Sequence, residues 1–305
     1  MMIYSKKYFL IGAFACLFSL IFLMAYFSRD YFLFTDKNTL ILSSNQDGGW
    51  DLYLYNIVKE RFKKVTDKGM CLSSTWSPDR KWVAYQEENP AEAGDFHTGH
   101  IWKMAICGFK RIKLTSGNQY DSSPSWSPDG KWIAYTSRPS PNSGRYLRLM
   151  SPDGSNNTDL GCNDSFISYM FVSWFFDSKK VIFTAIGSDQ ISGLYYYDME
   201  KKHCKLIIKD DRLIPYVPRC SPNSNSIIFT SRFNLYSINI QGSDLKQLTF
   251  ENTDKEATWS PDGTKIVFSR VRNGLSNIWI MNLDGSDQKQ ITFRRNDMII
   301  PVWGN

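Results

Sequence analysis

One short motif recurs along the chain at nearly regular intervals, and it constrains the fold more than any other feature. Its clearest copies read WSPDRKWVAY, WSPDGKWIAY and WSPDGTKIVF. Together with weaker copies and a final fragment, the motif begins at six lead residues: Trp76, Trp126, Trp174, Cys220, Trp259 and Trp303. Successive lead residues are 39 to 50 residues apart. A period of this length is typical of the four-stranded blades of a β-propeller.

The copy that begins at Trp126 shows what one repeat builds. In Ser127–Gly130, proline presets φ, aspartate suits the next position, and glycine accepts the left-handed conformation that closes the turn. The turn leads into Trp132–Tyr135, an unbroken apolar run that is typical of a strand covered on both faces. A third strand at Leu147–Met150 and a weak fourth strand near Asp159 complete an antiparallel meander.

The number of second strands predicts the number of blades. Six such strands follow the turns: Leu40–Leu42, Trp82–Tyr85, Trp132–Tyr135, Val181–Phe183, Ile227–Phe229 and Ile266–Phe268. The first of them, in the degraded copy Phe34–Leu42, lacks an inner partner upstream, whereas Met298–Trp303 has the inner-strand pattern with no strand after it. Stacking blades in a ring buries both faces of each sheet. The sequence therefore predicts an all-β fold, a six-bladed propeller of four-stranded antiparallel blades closed by the C-terminal strand.

Two features of the repeat predict local structure. The tryptophans that lead most copies are expected to pack in the core between blades rather than to stack on a ligand. Three copies lack the turn glycine, and Arg80, Ser178 and Ser224 occupy or adjoin its place. Because positive φ costs a non-glycine residue about 1 kcal/mol, we expect these turns to be looser or of another type.

An apolar segment precedes the repeats. Tyr8–Phe27 contains no charged residue, and a helix of this length spans about 30 Å, the thickness of the hydrocarbon core. Lys6 and Lys7 precede the segment, so the positive-inside rule places the N-terminus in the cytoplasm. We therefore predict one N-terminal transmembrane helix. The alternative is a cleaved signal peptide and a secreted protein, although Ala25–Ser28 is a poor cleavage site.

These observations define the predicted domain organisation. Residues 1–7 form a cytoplasmic N-terminus, 8–27 a transmembrane signal-anchor, 28–33 a linker and 34–305 the propeller. The propeller is then periplasmic or extracellular, on a single-pass membrane protein. Nothing in the sequence predicts the oligomeric state.

Cysteine usage and charge exclude several classes of protein. Of six cysteines, Cys16 lies in the apolar segment, and the other five include no CxxC spacing. We therefore expect isolated thiols, with neither a disulfide framework nor a zinc module. Without Lys6, Lys7 and Arg29, the chain has 33 basic and 30 acidic residues, which is too balanced for a nucleic-acid-binding protein.

The repeat resembles the TolB-like, WD-like propeller repeat of bacterial proteins. Ser125–Tyr135 and Asn277–Thr292 (NIWIMNLDGSDQKQIT) match it best, and the resemblance covers about Phe34–Trp303. It implies a propeller fold and the binding of proteins, since the family includes periplasmic scaffolds. Similar propellers also precede the hydrolase domain of serine peptidases. TolB itself has a separate α/β domain before its propeller, so we expect a family member other than TolB.

Strand order predicts which loops share a face. The turns after first and third strands form one face, the turn face, and the loops after second strands and between blades form the other, the loop face. Irregular insertions fall on the loop face, which is therefore the better candidate for function. Its longest insertion, Glu87–His100, contains Asp95, His97 and His100. These side chains are candidate binding residues, but no geometry fixes them as metal ligands, and we expect a mobile acidic loop.

Arginines recur on the loop face. They are Arg138, Arg145, Arg212, Arg232, Arg270, Arg272, Arg294 and Arg295. One hypothesis is a basic rim that recognises acidic groups on a partner, and the alternative is local pairing with carboxylates such as Asp210, Asp211 and Asp297. Asp121 and Asp254, five residues before lead tryptophans, are candidates to face the central channel. The alternative for these two is a solvated loop aspartate.

The sequence contains no catalytic constellation. There is no G-x-S-x-G elbow, and we predict no catalytic residue, no metal site and no cofactor. The leading hypothesis is a membrane-anchored, extracytoplasmic propeller that serves as a non-enzymatic scaffold for a protein or peptide partner. The alternative is a propeller that binds carbohydrate or another small ligand, or a lyase, at the channel mouth.

Overall fold

The computed structural model describes residues 34, 36–67, 69–89, 97–106, 110–162 and 166–304. Their regular structure is β, as predicted. The strands in chain order are β1 (Thr39–Ser44), β2 (Asp51–Asn56), β3 (Arg61–Lys64), β4 (Cys71–Trp76), β5 (Trp82–Asn89), β6 (Thr98–Ala105), β7 (Arg111–Lys113), β8 (Tyr120–Trp126), β9 (Ile133–Arg138), β10 (Tyr146–Met150), β11 (Thr158–Asp159), β12 (Phe166–Trp174), β13 (Lys180–Gly187), β14 (Ser192–Asp198), β15 (His203–Lys209), β16 (Tyr216–Cys220), β17 (Ser226–Ser231), β18 (Asn234–Asn239), β19 (Lys246–Gln247), β20 (Asp254–Trp259), β21 (Lys265–Arg272), β22 (Leu275–Asn282), β23 (Lys289–Gln290) and β24 (Met298–Trp303).

The strands assemble into four-stranded antiparallel meanders. Four sheets have this composition: β24-β1-β2-β3, β12-β13-β14-β15, β16-β17-β18-β19 and β20-β21-β22-β23. A fifth, eight-stranded sheet contains the meanders β4–β7 and β8–β11, which a single parallel bridge between Gly99 and Tyr120 joins. The predicted four-stranded antiparallel architecture is confirmed.

The C-terminal strand completes the first sheet. β24 pairs antiparallel with β1, so that Leu40 lies opposite Trp303 and Ser44 lies opposite Met298. The inner strands contact one another in the cyclic order β4, β8, β12, β16, β20, β24 and back to β4. The pairing predicted from the unpartnered strand at each end of the repeats is therefore present, and β24 also contacts β4.

The lead tryptophans pack between neighbouring sheets, as predicted. Trp76, Trp174 and Trp259 are buried in separate hydrophobic clusters. Their indole N–H groups donate to backbone oxygens of the preceding inner strand: Trp76 to Val302 at 3.4 Å, Trp174 to Ser125 at 3.0 Å and Trp259 to Arg219 at 3.0 Å. Each of these tryptophans thus stabilises the contact between two blades by burial and by a hydrogen bond.

The motif's turns keep their shape even without glycine. In the reference turn, Ser127 donates to Asp129 at 2.7 Å and Gly130 has φ +75°. Arg80 and Ser178 adopt φ of 57° and 58° at the same position, so the prediction of a different turn is wrong for both. Their amides donate to the carbonyls of Ser77 and Phe175, which are equivalent to the Ser127 carbonyl that accepts from the Gly130 amide. Only the Ser224 copy differs: the residue lies in a bend and does not have positive φ.

The hairpin between β21 and β22 offers a direct test of this turn chemistry. Asn273 and Gly274 form a two-residue loop with φ of 53° and 77°, as an Asn-Gly type I′ turn requires. No atom lies within 4 Å of a Cβ added at Gly274, so only backbone conformation resists a side chain there. We expect Gly274→Ala to lower the free energy of unfolding by about 1 kcal/mol in urea titrations. Gly161→Ala, in equally open space without positive φ, should cause no loss.

Cysteine chemistry differs from the prediction. Cys162 and Cys204 form a disulfide, with their Cα atoms 5.3 Å apart. Cys162 follows the fourth strand of one meander and Cys204 lies in the fourth strand of the next, so proximity in the fold, not sequence spacing, brings them together. The expectation of isolated thiols is therefore wrong for this pair. Cys71 and Cys220 are free thiols.

The predicted N-terminal segments lie outside the described residues. These are the cytoplasmic residues 1–7, the transmembrane helix 8–27 and the linker 28–33. In the described ranges, no helix has both the length and the apolar character that a membrane crossing requires.

Candidate functional site

The inner strands share an unusual backbone feature at the channel. In each of them, the residue three positions before the lead residue has positive φ although it is not glycine: Ser73, Ser123, Phe171, Val217, Glu256 and Ile300, with φ between 43° and 57°. Register shifts in the strand pairing occur at these positions. Such bulges bend a strand and redirect its side chains. All six residues line one small central cavity of about 60 Å³.

This ring of bulges separates two larger cavities. On the turn face, a cavity of about 140 Å³ is lined mostly by motif residues, including the lead tryptophans. Towards the loop face, a cavity of about 300 Å³ is lined by residues such as Glu88, Tyr120 and Tyr216. Arg219 lines both the turn-side and the central cavity, and Glu256 lines both the central and the loop-side cavity. The narrow central cavity therefore has a cation, Arg219, at its turn-side end and an acid, Glu256, at its loop-side end.

Glu256 is held by its own strand and its neighbours. Its Oε2 atom accepts a hydrogen bond from the amide of Ile300 at 2.9 Å and a longer one from the Ser269 hydroxyl at 3.4 Å. Burial raises the pKa of Glu256, while the Ile300 amide, Lys255, Ser269 and Arg219 oppose the shift. Carboxylic acids with a raised pKa near a cavity are common at functional sites. Glu256 is therefore a candidate functional residue that the sequence did not identify.

The raised pKa of Glu256 predicts a pH dependence of stability. The folded protein binds this proton more tightly than the unfolded chain, whose ordinary value is 4.5. The stabilisation is therefore complete below pH 4.5 and is lost as pH rises through the folded pKa. We expect Glu256→Gln to show no such loss in urea titrations from about pH 4 to about pH 8. Glu251→Gln changes an exposed carboxylate and should retain the wild-type dependence of the unfolding free energy on pH. A wild-type pH dependence in Glu256→Gln would contradict the assignment of this effect to Glu256.

A polar cluster lies on the wall of the loop-side cavity. The side-chain amide of Gln86 donates to Glu88 at 2.8 Å and to the hydroxyl of Tyr120 at 2.7 Å. The Tyr120 hydroxyl donates to the same carboxylate. Burial is the main cause that raises the pKa of Tyr120, and the hydrogen bond to Glu88 raises it further. The Arg145 guanidinium lies 5.9 Å from the Tyr120 ring centroid, so this predicted arginine borders the cavity.

Most of the predicted arginines are exposed on the loop face, where several have local partners. Arg212 makes two hydrogen bonds to Asp210, at 2.9 and 2.6 Å, and Arg232 donates to the backbone oxygen of Arg212 at 2.9 Å. Arg272 pairs with Glu251 at 3.0 Å. Local pairing, one of the two alternatives from sequence, is therefore present for Arg212 and Arg272.

The other predicted arginines near the loop-face rim have more varied surroundings. Arg138 donates to the backbone oxygens of Pro141 and Ser143 within its own loop. Arg294 lies 4.5 Å from the ring centroid of Phe62, and Arg295 is exposed next to it. The loop face thus presents positive charge at several points around its rim.

Arg270 and Asp254 do not occupy the predicted positions. Arg270 is 1% exposed and donates from Nε and Nη2 to the two oxygens of Asp254, at 2.5 and 2.7 Å. Asp254 is completely buried and does not border the cavities described above. The assignment of Arg270 to an exposed rim and of Asp254 to the channel is therefore wrong. The two residues face each other in the ladder between β20 and β21, and this register places the charges in contact.

The end of the predicted acidic loop belongs to a strand, since β6 begins at Thr98. Asp95 lies outside the described residues, and His97 is exposed just before β6. His100 is a buried strand residue opposite Glu87, so it is not available on a loop surface. Burial is the main cause that lowers the pKa of His100, and the positive charge of Lys113 adds to it. The negative charge of Asp121 opposes the shift.

Asp121 also departs from its predicted position. It is completely buried, accepts a hydrogen bond from Gln119 at 3.2 Å and does not line the channel cavities described above. The channel assignment of Asp121 is therefore wrong. The described residues include no group of three or more His, Cys, Asp or Glu residues arranged to hold a metal ion.

Exposed apolar side chains on the loop face were missed from the sequence. Phe233, Phe250 and Phe293 are 57%, 72% and 78% exposed, and Ile214 and Tyr216 are also exposed. Each phenylalanine lies in a loop and adjoins a charged residue, as in the pairs Arg232-Phe233 and Phe293-Arg294. An aromatic residue in a loop, outside the repeat's apolar positions, is the signal that could have identified them.

Comparisons with known proteins place the chain in a family. The family described as PD40, the TolB beta-propeller domain, matches residues 140–305. No curated protein matches the chain. Among solved structures, TolB from Acinetobacter baumannii is 21% identical over 87% of this chain and 66% of that chain, with a TM-score of 0.74. The chain thus spans less than two thirds of the length of that relative.

Two further solved structures show the same fold. A putative TolB from Agrobacterium tumefaciens is 17% identical over 83% of this chain and 88% of that one, with a TM-score of 0.67. An oligogalacturonate lyase from Vibrio parahaemolyticus is 11% identical over 81% and 86%, with a TM-score of 0.57. At such identities the likeness concerns the fold alone. The family match, which covers more than half of the chain, shows that the protein belongs to the TolB β-propeller domain family.

Proposed function

We propose that the protein is a six-bladed propeller, anchored in a membrane by an N-terminal helix, whose loop face binds a protein or peptide partner without catalysis. The observation that carries this proposal is the composition of the loop face. Phe233, Phe250 and Phe293 are exposed there, and exposed arginines adjoin Phe233 and Phe293 in the sequence. Aromatic residues and arginine are the side chains most enriched at the centres of protein interfaces.

The burial free energy of the exposed phenylalanines favours contact with a partner over contact with water. Leaving a phenylalanine in water forgoes about 1.5 to 3 kcal/mol of burial free energy, and three such residues share one face. The adjoining guanidinium groups provide directional hydrogen bonds to carboxylates. The partner surface that fits best is therefore apolar at its centre and acidic at its rim. Membership of the TolB propeller family supports the same function.

The proposed location rests on two independent observations. Tyr8–Phe27 is long enough to span a bilayer, and Lys6 and Lys7 favour a cytoplasmic N-terminus. The disulfide between Cys162 and Cys204 supports an oxidising compartment, because such bonds are rare in the cytosol. We therefore propose that residues 34–305 form the propeller and function in the periplasm or outside the cell.

Site-specific photo-crosslinking in intact cells tests the proposal. We expect photoreactive residues at Phe233 and Phe293 to capture one protein. The matched control is Val58, which is 70% exposed in the turn between β2 and β3 on the opposite face and should capture none. With the photoreactive residue placed instead at Phe250, replacing Phe233 and Phe293 with serine should weaken the adduct about tenfold or more.

Two outcomes would overturn the proposal. Equal capture at Val58 would show that the loop face is not selective. No adduct from a folded, membrane-retained protein, together with turnover of an oligosaccharide, would favour the alternative of a lyase or carbohydrate-binding propeller that uses the loop-side cavity.

A further inference from the structure

One outermost strand is longer than its counterparts in the other meanders. β15 contains seven residues, His203–Lys209, whereas β3, β7, β11, β19 and β23 contain two to four. In the part of the chain that the structure describes, β15 pairs with β14 alone, so its second edge is open. An edge strand presents unpaired N–H and C=O groups to the solvent. β15 therefore offers the longest row of such groups among the described outermost strands.

The sequence explains why β15 is longer. In four other meanders, the hydroxyl of a threonine two positions after the outermost strand accepts a hydrogen bond from an amide of the third strand, at 2.9 or 3.0 Å. These residues are Thr66, Thr115, Thr249 and Thr292. Ile208 stands at the equivalent position of β15 and has no side-chain acceptor. The backbone ladder therefore continues there, with Ile208 opposite Leu194 and Lys209 opposite Gly193.

The first half of β15 is regular and fixed in place. His203–Leu206 pair with β14 without interruption, and a register shift follows at Ile207, which is buried in the same hydrophobic cluster as Ile240. The disulfide of Cys204 ties this half to the neighbouring meander, and both cysteines pack against a cluster that the two meanders share. Because strand side chains leave from the faces of a sheet, this bond leaves the edge of β15 open. An edge that is already ordered binds a partner strand at a lower entropic cost.

The side chains of this edge select the kind of partner. Lys201 and Lys202 in the preceding turn and Lys205 within β15 are exposed, and none of them is in an ion pair among the described residues. Two copies of β15 would bring these like charges together, which disfavours pairing of the protein with itself. Carboxylates on an added strand are attracted instead. Leu206, which is 47% exposed, adds an apolar contact at the centre of the strand.

We propose that the free edge of β15 binds an extended acidic segment of a partner protein as an additional strand of this sheet. Main-chain hydrogen bonds along the edge provide the affinity, and the lysines and Leu206 provide the preference for acidic and apolar side chains. β15 is the strand of its meander farthest from the inner strand β12, so this surface is separate from the channel cavities. The inference therefore does not depend on the partner proposed for the loop face.

Fluorescence anisotropy with the full-length protein and a labelled peptide of alternating glutamate and valine tests this edge. We expect saturable binding of the peptide to the wild-type protein. Lys205→Glu should weaken this binding about fivefold or more, because the new carboxylate repels the peptide. Lys246→Glu is the matched control and should bind like wild type. Lys246 is an exposed lysine at the equivalent position of β19, which has only two residues.

Two changes to the backbone separate strand addition from simple charge attraction. N-methylation of every amide keeps the charge of the peptide but removes its N–H donors, so the methylated peptide should not bind. Ile208→Thr introduces the threonine that follows the shorter outermost strands, and it should shorten β15. We expect this variant to bind the unmodified peptide about threefold or more weakly than wild type.

Several outcomes would contradict the proposal. Equal binding of the methylated peptide would show that charge alone attracts it. A folded Lys205→Glu variant, as judged by circular dichroism, that binds like wild type would overturn the proposal, as would the lack of a saturable signal from wild type. Self-association of the protein that excludes the peptide would assign the edge to a second copy of the chain instead. If Ile208→Thr does not fold, the methylated peptide and Lys205→Glu still decide the question.

Discussion

Replacing Arg270 with methionine is expected to lower the free energy of unfolding by about 3 to 5 kcal/mol. Arg270 and Asp254 are almost completely buried and share two hydrogen bonds, so the substitution leaves a carboxylate enclosed without its counter-charge. The guanidinium also lies 5.0 and 4.9 Å from the ring centroids of Phe268 and Trp279, and these contacts are lost as well. Methionine retains much of the side-chain volume, so the expected loss arises mainly from charge.

Urea titrations of four variants, Arg270→Met, Arg272→Met, Asp254→Leu and the double variant Asp254→Leu/Arg270→Met, separate the contribution of charge from that of volume. Arg272→Met removes an exposed arginine of the same strand and should cost less than about 1 kcal/mol. The double variant Asp254→Leu/Arg270→Met removes both charges and should recover much of the stability lost in Arg270→Met. A double variant as unstable as the sum of its single variants would show that the ion pair is not the cause.

The sequence was most informative where the repeat requires a particular chemistry. The motif predicted the turns and the second strands, because each depends on residues within about ten positions of one another. It predicted the tryptophan packing because the ring recurs at one position of the repeat. It also predicted the pairing of β24 with β1, because an unpartnered strand remained at each end of the repeats. Arg80 shows the limit of such local rules, since the surrounding strands hold it at positive φ despite the cost.

The candidate site was less predictable because its features arise between blades. The six bulge residues have no common residue type, since they include serine, phenylalanine, valine, glutamate and isoleucine, so no pattern marks them. Arg270 was assigned to the surface because it ends a strand, but its register opposite Asp254 buries it. Arg219 could have been noticed as the one charged residue at its repeat position. Its place on the wall of two cavities becomes apparent only when the inner strands surround the channel.

The disulfide between Cys162 and Cys204 is expected to contribute about 4 kcal/mol to the stability of the propeller. It closes a loop with a sequence separation of 42 residues, and the chain-entropy estimate for a loop of that length is about 4 kcal/mol. The bond joins the outer parts of two neighbouring sheets near β11, a strand of two exposed residues with little packing of its own. Loss of the bond should therefore loosen this seam before the tryptophan-packed inner strands.

Urea titrations with and without a thiol reductant measure this contribution. Reductant should lower the unfolding free energy of the wild-type protein by about 2 to 5 kcal/mol. Cys162→Ala/Cys204→Ala should show the same loss without reductant and no further loss with it. Cys220→Ala, which changes a free thiol, should remain as sensitive to reductant as wild type. If reductant destabilises the double variant as much as the wild type, the effect belongs to another thiol, and support from this bond for an oxidising compartment is lost.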